Sequence, residues 1–213
     1  RLHQEASMAN PLLELKKYGQ SVWYDNLNRE MMLSGKLQKM VDEDGITGGT
    51  SNPSIFEKAI ASSADYDDDI RRLAAEGHGA EEIFEALAIA DVRAACDAFR
   101  AVYERTGGAD GLVSLEVSPT LARDGAATEA AARRLWAAVA RPNLMINIPG
   151  TEEGLGAIER CIADGINVNV LTSNRFWKNV ERVLDRKLLV RMSSIVGRQG
   201  VLEAFIVQEV DWI

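Results

Sequence analysis

The amino-acid sequence predicts an α/β protein whose parallel strands form a (β/α)8 barrel. Short apolar segments alternate with helical patterns, which is typical of a parallel sheet covered by helices. Three of these segments have one apolar face and one partly polar face. A central strand of an open doubly wound sheet packs helices on both faces, whereas a barrel strand packs helices on its outer face only. The one-sided pattern therefore favours the barrel.

Six segments are predicted as strands and five as helices. The strands are 21–25, 46–50, 112–117, 144–149, 166–171 and 188–196. The helices are 27–43, 80–105, 126–140, 152–163 and 176–186. In 80–105, for example, apolar residues recur at helical spacing, and Gly107 and Gly108 supply a stop. Because a closed barrel needs eight strands, about six predict an incomplete barrel with open edges, and a homo-oligomer is expected.

The faces of three strands locate the candidate site, because alternate side chains of a strand point to opposite sides. One side is apolar and is formed by Val113, Leu115, Val117, Leu144, Ile146, Ile148, Ile166, Val168 and Val170. The other side carries Ser114, Glu116, Asn147, Asn167 and Asn169. Active sites of this architecture form from polar residues near the carboxyl ends of the strands, so the polar side is predicted to face the site.

Two acidic residues are candidates for proton transfer. Glu116 lies in mid-strand, where burial of a carboxylate without a partner is costly. A functional role is the favoured interpretation of Glu116, and a structural ion pair is the alternative. Asp25 follows an apolar segment and is interpreted equally well as a functional carboxylate or as the N-cap of the next helix.

Two loops supply candidate groups for binding hydroxyls and phosphate. The segment GGTSNPSIF (48–56), with Thr50 and Asn52, is predicted as a turn rich in hydroxyls and backbone donors. Arg198 lies in a loop where it could bind phosphate through two hydrogen bonds, although a solvated arginine is the commoner case. The sequence has no Walker loop, dinucleotide fingerprint or histidine cluster, so neither a cofactor nor a metal is expected.

Composition narrows the class of protein. The 213 residues carry a formal net charge of −8, which argues against general nucleic-acid binding. No apolar run approaches the roughly 18 residues of a membrane span. Cys96 and Cys161 are expected to be reduced core thiols of a cytoplasmic protein. Residues 1–9 are expected to be a disordered or non-native extension, and residues 10–213 a single barrel domain.

Five motifs, in the same order along the chain, resemble the bacterial transaldolases. They are NPLLELKKYGQSVWYDNL, GGTSNPSIFEKAI, YERTGGADGLVSLEVSP, RPNLMINIPGTEEGL and DGINVNV. The resemblance implies a (β/α)8 barrel of the class I aldolase type and an enzyme of the pentose phosphate pathway with sugar phosphates as partners. Such enzymes transfer a dihydroxyacetone unit from sedoheptulose 7-phosphate to glyceraldehyde 3-phosphate, giving erythrose 4-phosphate and fructose 6-phosphate without a cofactor.

The resemblance also implies a role for each candidate residue. A strand lysine of the family forms a Schiff base with the substrate carbonyl, and the iminium accepts the electrons of the breaking C3–C4 bond. Asp25 is expected to transfer the proton of the C4 hydroxyl, and Glu116 to help activate a water. The residues expected to bind hydroxyls and the carbinolamine are Thr50, Asn52, Ser114 and Asn169, and those expected to bind phosphate are Ser193 and Arg198.

Asn147 occupies the position of the family's Schiff-base lysine. Its amide nitrogen is delocalised and does not add to a ketone, because nucleophilic catalysis of this kind needs an amine. Proton transfer is worth roughly 10²–10⁴-fold and does not replace the iminium. Three interpretations stay open: an active transaldolase in which another lysine substitutes, a homologue that binds sugar phosphates without the chemistry, and a truncated product with no biochemical role.

Overall fold

The computed structural model describes residues 10–171, which contain a parallel sheet of five strands. The strands are Val22–Tyr24 (β1), Ile46–Thr50 (β2), Val113–Glu116 (β3), Leu144–Pro149 (β4) and Val168–Leu171 (β5). Each strand pairs with its neighbours in sequence, in the order β1-β2-β3-β4-β5. A doubly wound sheet reverses its strand order at a switch point, whereas a (β/α)8 barrel does not. The predicted fold class is therefore confirmed, with five barrel strands in the described residues.

Helices connect the strands and cover one side of the sheet. They are Pro11–Leu15 (α1), Arg29–Leu33 (α2), Lys36–Lys39 (α3), Pro53–Ser62 (α4), Asp67–Ala75 (α5), Ala80–Arg105 (α6), Gly125–Val139 (α7) and Leu155–Ala163 (α8). Short 3-10 turns lie at Lys16–Tyr18, Ala64–Tyr66 and Pro119–Leu121, and a π-helical turn at Met40–Asp44. The helices α6, α7 and α8 pack against β3, β4 and β5 respectively. In each of these pairs the helix precedes the strand that it covers.

The apolar side of β3, β4 and β5 forms the core with these helices. Val113, Ile146 and Ile148 are completely buried in one cluster with Phe99 of α6 and Val139 of α7. Burial of a large apolar side chain is worth about 1.5–3 kcal/mol, so this side supplies much of the stability of the sheet. The predicted assignment of apolar residues to the helix-packed side is confirmed.

The prediction of one continuous helix over 27–43 is wrong, because the structure has two short helices and a π-helical turn there. Gly35 has φ of +73°, a left-handed conformation that separates α2 from α3, and the chain then widens into the π-helical turn. Glycine adopts this conformation at little cost, so it can break a helical pattern that periodicity alone continues. Asn28 begins α2, where its side-chain Oδ1 accepts a hydrogen bond from the Met31 N–H at 3.1 Å.

Three further helices were not predicted, namely α1, α4 and α5. The predicted turn 48–56 includes the end of β2 and the first residues of α4, which begins at Pro53. Proline at the first helical position is favoured because its fixed φ suits the helix and its missing N–H would have no partner there. The predicted strand 188–196 and helix 176–186 lie outside the described residues.

A buried polar network fastens α2 to α6. The Arg29 Nε donates to Asp91 Oδ1 at 2.8 Å, and the Tyr66 hydroxyl donates to Asp91 Oδ2 at 2.8 Å. The Arg29 guanidinium also lies 4.3 Å from the centre of the Tyr66 ring. Because Arg29 is the first residue of α2, the network fixes the helix that follows the loop carrying Asp25.

Both cysteines are buried and unpaired, as predicted for core thiols. Burial raises the pKa of the Cys96 thiol to about 12, so it is protonated at neutral pH. Among the helices of residues 10–171, none combines the length and apolar character needed to cross a bilayer.

Candidate functional site

Three polar residues lie side by side on adjacent strands of the sheet. In the register of the strands, Glu116 of β3 pairs with Asn147 of β4, and Asn147 pairs with Asn169 of β5. Alternation places their side chains opposite the helix-packed residues. We call Glu116, Asn147 and Asn169 the polar row. The sequence predicted each of them on the polar side, and the structure brings the three together.

Thr50 and Ser114 form a second level beside the polar row. Thr50 pairs with Ser114 in the register of β2 and β3, and Ser114 pairs with Met145 of β4. Thr50 and Ser114 are both buried. The Thr50 hydroxyl donates a hydrogen bond to Asp25 Oδ1, which draws the loop after β1 toward this level. Asp25 and Thr50 are thus joined, as expected of residues that serve one site.

The amides of the polar row are buried, and three of their four polar atoms have no partner among the described residues. Asn147 is 1% exposed and Asn169 is completely buried. Within residues 10–171, neither amide atom of Asn169 has a hydrogen-bond partner, nor have Asn147 Oδ1 and Ser114 Oγ. Native proteins satisfy the large majority of buried polar groups, so a group of such atoms in one place makes this side of the sheet a candidate binding site.

Glu116 has an environment that suits proton transfer near neutral pH. Burial raises the pKa of its carboxyl to about 7, and the negative charge of Asp25 adds to the rise. No ion pair joins Glu116 to a cation of the described residues, so the alternative of a structural ion pair is not supported there. An acid with a pKa near the working pH both accepts and donates protons efficiently.

The structure excludes the N-cap interpretation of Asp25. Asp25 does not cap the next helix, because Asn28 is the N-cap of α2. Asp25 is exposed and accepts the hydrogen bond of Thr50. The carboxylate therefore lies at the solvent side of the site, near enough to Glu116 to affect its pKa.

Asn52 has a structural role that the sequence did not predict, and Asn167 has the structural role that the sequence left open as an alternative to a site role. Asn52 Oδ1 accepts the Ser54 N–H at 2.9 Å and caps α4, so this oxygen is already occupied. Asn167 Nδ2 donates to the carbonyls of Leu144 at 3.0 Å and Pro142 at 3.3 Å. Both asparagines hold backbone, and Asn167 is separate from the polar row. Ser193 and Arg198, the predicted phosphate ligands, lie outside the described residues.

Trp23 also lies in the site region, although the sequence pattern indicated only an apolar residue there. A Cβ atom added to Gly48 would lie 2.5 Å from the Trp23 ring, so the indole covers the β2 backbone where only glycine fits. By alternation, Gly48 faces the same side as Thr50. The buried Trp23 Nε1 has no hydrogen-bond partner within the described part of the chain. The sequence signal for this arrangement was the pair Gly48 and Gly49 in one predicted strand and Trp23 in the strand before it.

Comparison with known proteins agrees with the geometry. A family model described as "Transaldolase/Fructose-6-phosphate aldolase" matches residues 22–172. The chain is 54% identical over 199 residues to "Transaldolase 2" of Nostoc punctiforme, covering 88% of this chain and 52% of the relative. It is 52% identical to "Transaldolase" of Trichodesmium erythraeum, covering 76% of this chain and 43% of the relative.

A more distant relative gives the same result over more of the chain. The chain is 43% identical over 209 residues to "Transaldolase" of Acidothermus cellulolyticus, covering 96% of this chain and 56% of the relative. The chain thus spans about half the length of the curated relatives it matches. With a parallel sheet in barrel order, a polar row on its inner side and these matches, the chain belongs to the transaldolase/fructose-6-phosphate aldolase family.

Proposed function

We propose that this chain is a transaldolase-type protein that binds sugar phosphates at the polar row, with the Schiff-base step blocked at Asn147. The reaction proposed for the family site is transfer of a dihydroxyacetone unit between sugar phosphates of the pentose phosphate pathway. The observation that carries the proposal is the centre of the polar row, where a buried amide stands between Glu116 and Asn169. An amide can hydrogen-bond a carbonyl but cannot form an imine with it.

The remaining residues support binding and proton transfer. Asp25 and Thr50 form a hydrogen-bonded pair that could meet a substrate hydroxyl at the solvent side of the site. Glu116, with a pKa of about 7, is suited to exchange a proton with a water or hydroxyl. Ser114 and Asn169 offer buried atoms with no partner among residues 10–171, which a sugar hydroxyl could satisfy. By family resemblance, Ser193 and Arg198 would hold the phosphate.

No lysine of the described residues supports the alternative of a substitute nucleophile. All five lysines of the described residues are exposed and lie on α3, on α4 or on the 3-10 turn after α1: Lys16, Lys17, Lys36, Lys39 and Lys58. A Schiff-base lysine needs a depressed pKa, which requires burial or a neighbouring cation. Lys178 and Lys187, the other two candidates, lie outside the described residues. A cytoplasmic setting is part of the proposal and is supported by the two unpaired thiols.

Borohydride trapping tests the blocked step. The chain is incubated with fructose 6-phosphate and borohydride, and its intact mass is measured beside Asn147→Lys and Asn147→Gln. Borohydride reduces an imine to a stable amine, so a Schiff base leaves the sugar phosphate on the protein. We expect an adduct on Asn147→Lys only, while Asn147→Gln controls for a longer side chain without an amine. An adduct on the unsubstituted chain would refute the proposal, and peptide mapping would then identify the reacting lysine.

Binding is tested separately by titrating the unsubstituted chain with fructose 6-phosphate in a calorimeter. Saturable binding that Glu116→Gln or Ser114→Ala weakens would support the polar row as the site. A folded chain that binds no sugar phosphate would reject the binding function and favour a product without biochemical role. Cooperative unfolding in urea establishes that the chain used for the titration is folded.

A further inference from the structure

The polar row and its neighbours have a surplus of hydrogen-bond acceptors. Among the described residues, the atoms of this region without a partner include three oxygens, Asn147 Oδ1, Asn169 Oδ1 and Ser114 Oγ, against one amide donor of the row, Asn169 Nδ2. The carboxylate of Glu116 belongs to the same row, and the carboxylate of Asp25 acts on it through its charge. The ligand that satisfies this arrangement best has several donors and a positive charge.

No described cation neutralises the two carboxylates. The influences on Glu116 are its burial and the charge of Asp25, with no lysine or arginine among them. The half-buried Arg29 of the neighbouring network pairs with Asp91 and Asp69 instead. When ionised, Glu116 is therefore a partly buried anion beside amide atoms that have no partner among the described residues, a state that a cation would stabilise.

The spacing of the row fits a single small donor group. Residues in register on adjacent strands lie about 4.8 Å apart. A nitrogen that lies off the line between two acceptors at this spacing can be about 3 Å from both, which is ordinary hydrogen-bond distance. An alkylammonium group has three N–H donors and no acceptor, so it can bond Asn147 and one neighbour in the row at once.

Other classes of ligand fit the row less well. An anion would be repelled by Asp25 and Glu116. A divalent metal needs more anionic ligands, and the described residues contain no group of three or more histidine, cysteine or acidic side chains suited to a metal. A neutral hydroxyl can satisfy single atoms but leaves the negative charge uncompensated.

We propose that the row of Glu116, Asn147 and Asn169 binds a small primary ammonium ion of the size of methylammonium. The site is the one on which the proposed function rests, but the inference concerns a ligand of opposite charge to a sugar phosphate. Asn147 is the central ligand, because its amide oxygen lies between the other two residues of the row.

The test is a titration of the 213-residue chain with methylammonium chloride, without sugar, at about pH 8, where Glu116 is largely ionised. Calorimetry or the shift of the thermal midpoint reports binding. Tetramethylammonium has the same charge but no N–H donor, and potassium has neither a donor nor a carbon group. We expect saturable binding of methylammonium alone, and equal effects of all three salts would overturn the proposal.

Variants at Asn147 test the location. Asn147→Leu keeps the approximate shape without the amide, and we expect binding to weaken at least about tenfold, because hydrogen bonds to charged groups are worth roughly 1.5–3 kcal/mol. Asn147→Asp is isosteric and adds an anion, and we expect it to bind more tightly. Asn167→Leu is the matched control, since Asn167 bonds backbone carbonyls outside the row.

The outcomes separate this inference from the proposed function. If Asn147→Leu and Asn147→Asp both bind methylammonium as the unsubstituted chain does, the assigned site is wrong. If no methylammonium binds but fructose 6-phosphate does, the ammonium site is refuted while the proposed function stands. If methylammonium binds but the sugar phosphate does not, the proposed function fails and the ammonium site stands.

Discussion

The two sides of β3, β4 and β5 differ in how completely their groups are satisfied. On the helix-packed side, Val113, Ile146 and Val168 are buried among the side chains of α6, α7 and α8. On the other side, Ser114, Asn147 and Asn169 are buried with atoms that have no partner among the described residues. The first side stabilises the sheet, while the second carries groups whose partners a ligand can supply. Alternation along the same strands thus separates the side that stabilises the sheet from the side that carries the candidate site.

The largest effect that would test this comparison is expected at Ile146. Ile146→Ala removes a fully buried side chain from the helix-packed cluster, and we expect a loss of about 2–5 kcal/mol in the free energy of unfolding. Urea denaturation followed by circular dichroism measures this loss. A loss below about 1 kcal/mol would show that the helices do not pack on this side as described.

A pH-dependent effect of intermediate size is expected from Glu116. Its folded-state pKa of about 7 is raised above the ordinary value of 4.5, so the folded state holds the proton more tightly. The carboxyl contributes fully to stability below its ordinary pKa, and this contribution is lost as the pH rises through its folded-state pKa. The expected loss in the free energy of unfolding is on the order of 2 kcal/mol. We expect Glu116→Gln to flatten the fall in stability between these two pKa values.

The control for that measurement is the difference between the two proteins at each pH. Asp91 also has a raised pKa, mainly because of burial, so the unsubstituted chain loses stability from more than one group. Subtracting the urea-unfolding free energies of the two proteins isolates Glu116. An unchanged pH profile in Glu116→Gln would mean that the carboxyl is solvated rather than buried.

A smaller effect is expected at the helix cap. Asn52→Ala removes the side-chain acceptor of the Ser54 N–H, and we expect a loss of about 0.5–2 kcal/mol in unfolding free energy. Asn52→Asp should keep most of the stability, because aspartate is an equally good cap. If both variants bind fructose 6-phosphate like the unsubstituted chain, the role of Asn52 is structural only.

The smallest effect on stability is expected at Asn169. Asn169→Leu replaces a buried amide that has no partner among the described residues by an apolar group of similar volume. We therefore expect the free energy of unfolding to change by less than about 1 kcal/mol, in either direction. Binding of the sugar phosphate should nevertheless weaken. A loss comparable to that of Ile146→Ala would contradict the contrast between the two sides, because it would show that Asn169 holds the fold.

The sequence predicted the regular elements well where one local pattern dominates. The strand 144–149 and the helix 80–105 match the structure at both ends, since a continuous apolar run and a long helical period leave little choice. The helix 27–43 failed because the conformation of a single glycine, Gly35, interrupts a pattern that remains periodic on both sides. The start of a short helix such as α4 depends on its N-cap. The helix was missed because Asn52, its N-cap, was assigned to substrate binding.

For the site, sequence reasoning predicted the faces but not the register. Alternation was enough to place Glu116, Asn147 and Asn169 on one side. Whether three strands bring these residues level with one another depends on backbone pairing between strands, which no local pattern encodes. The pairing of Asp25 with Thr50 is likewise a contact between residues distant in sequence. Family resemblance assigned these residues to one site, but it did not predict which of them pair.

The sequential strand order has a consequence for how the chain is made. Each described strand pairs only with the strand before it and the strand after it, so each of these pairings can form as soon as the next strand of the chain has been made. Chain segments emerge from the ribosome at about 5–20 residues per second, which leaves seconds for each strand–helix unit to dock on its predecessor. The sheet can therefore grow vectorially during translation, with the newest strand always at its edge.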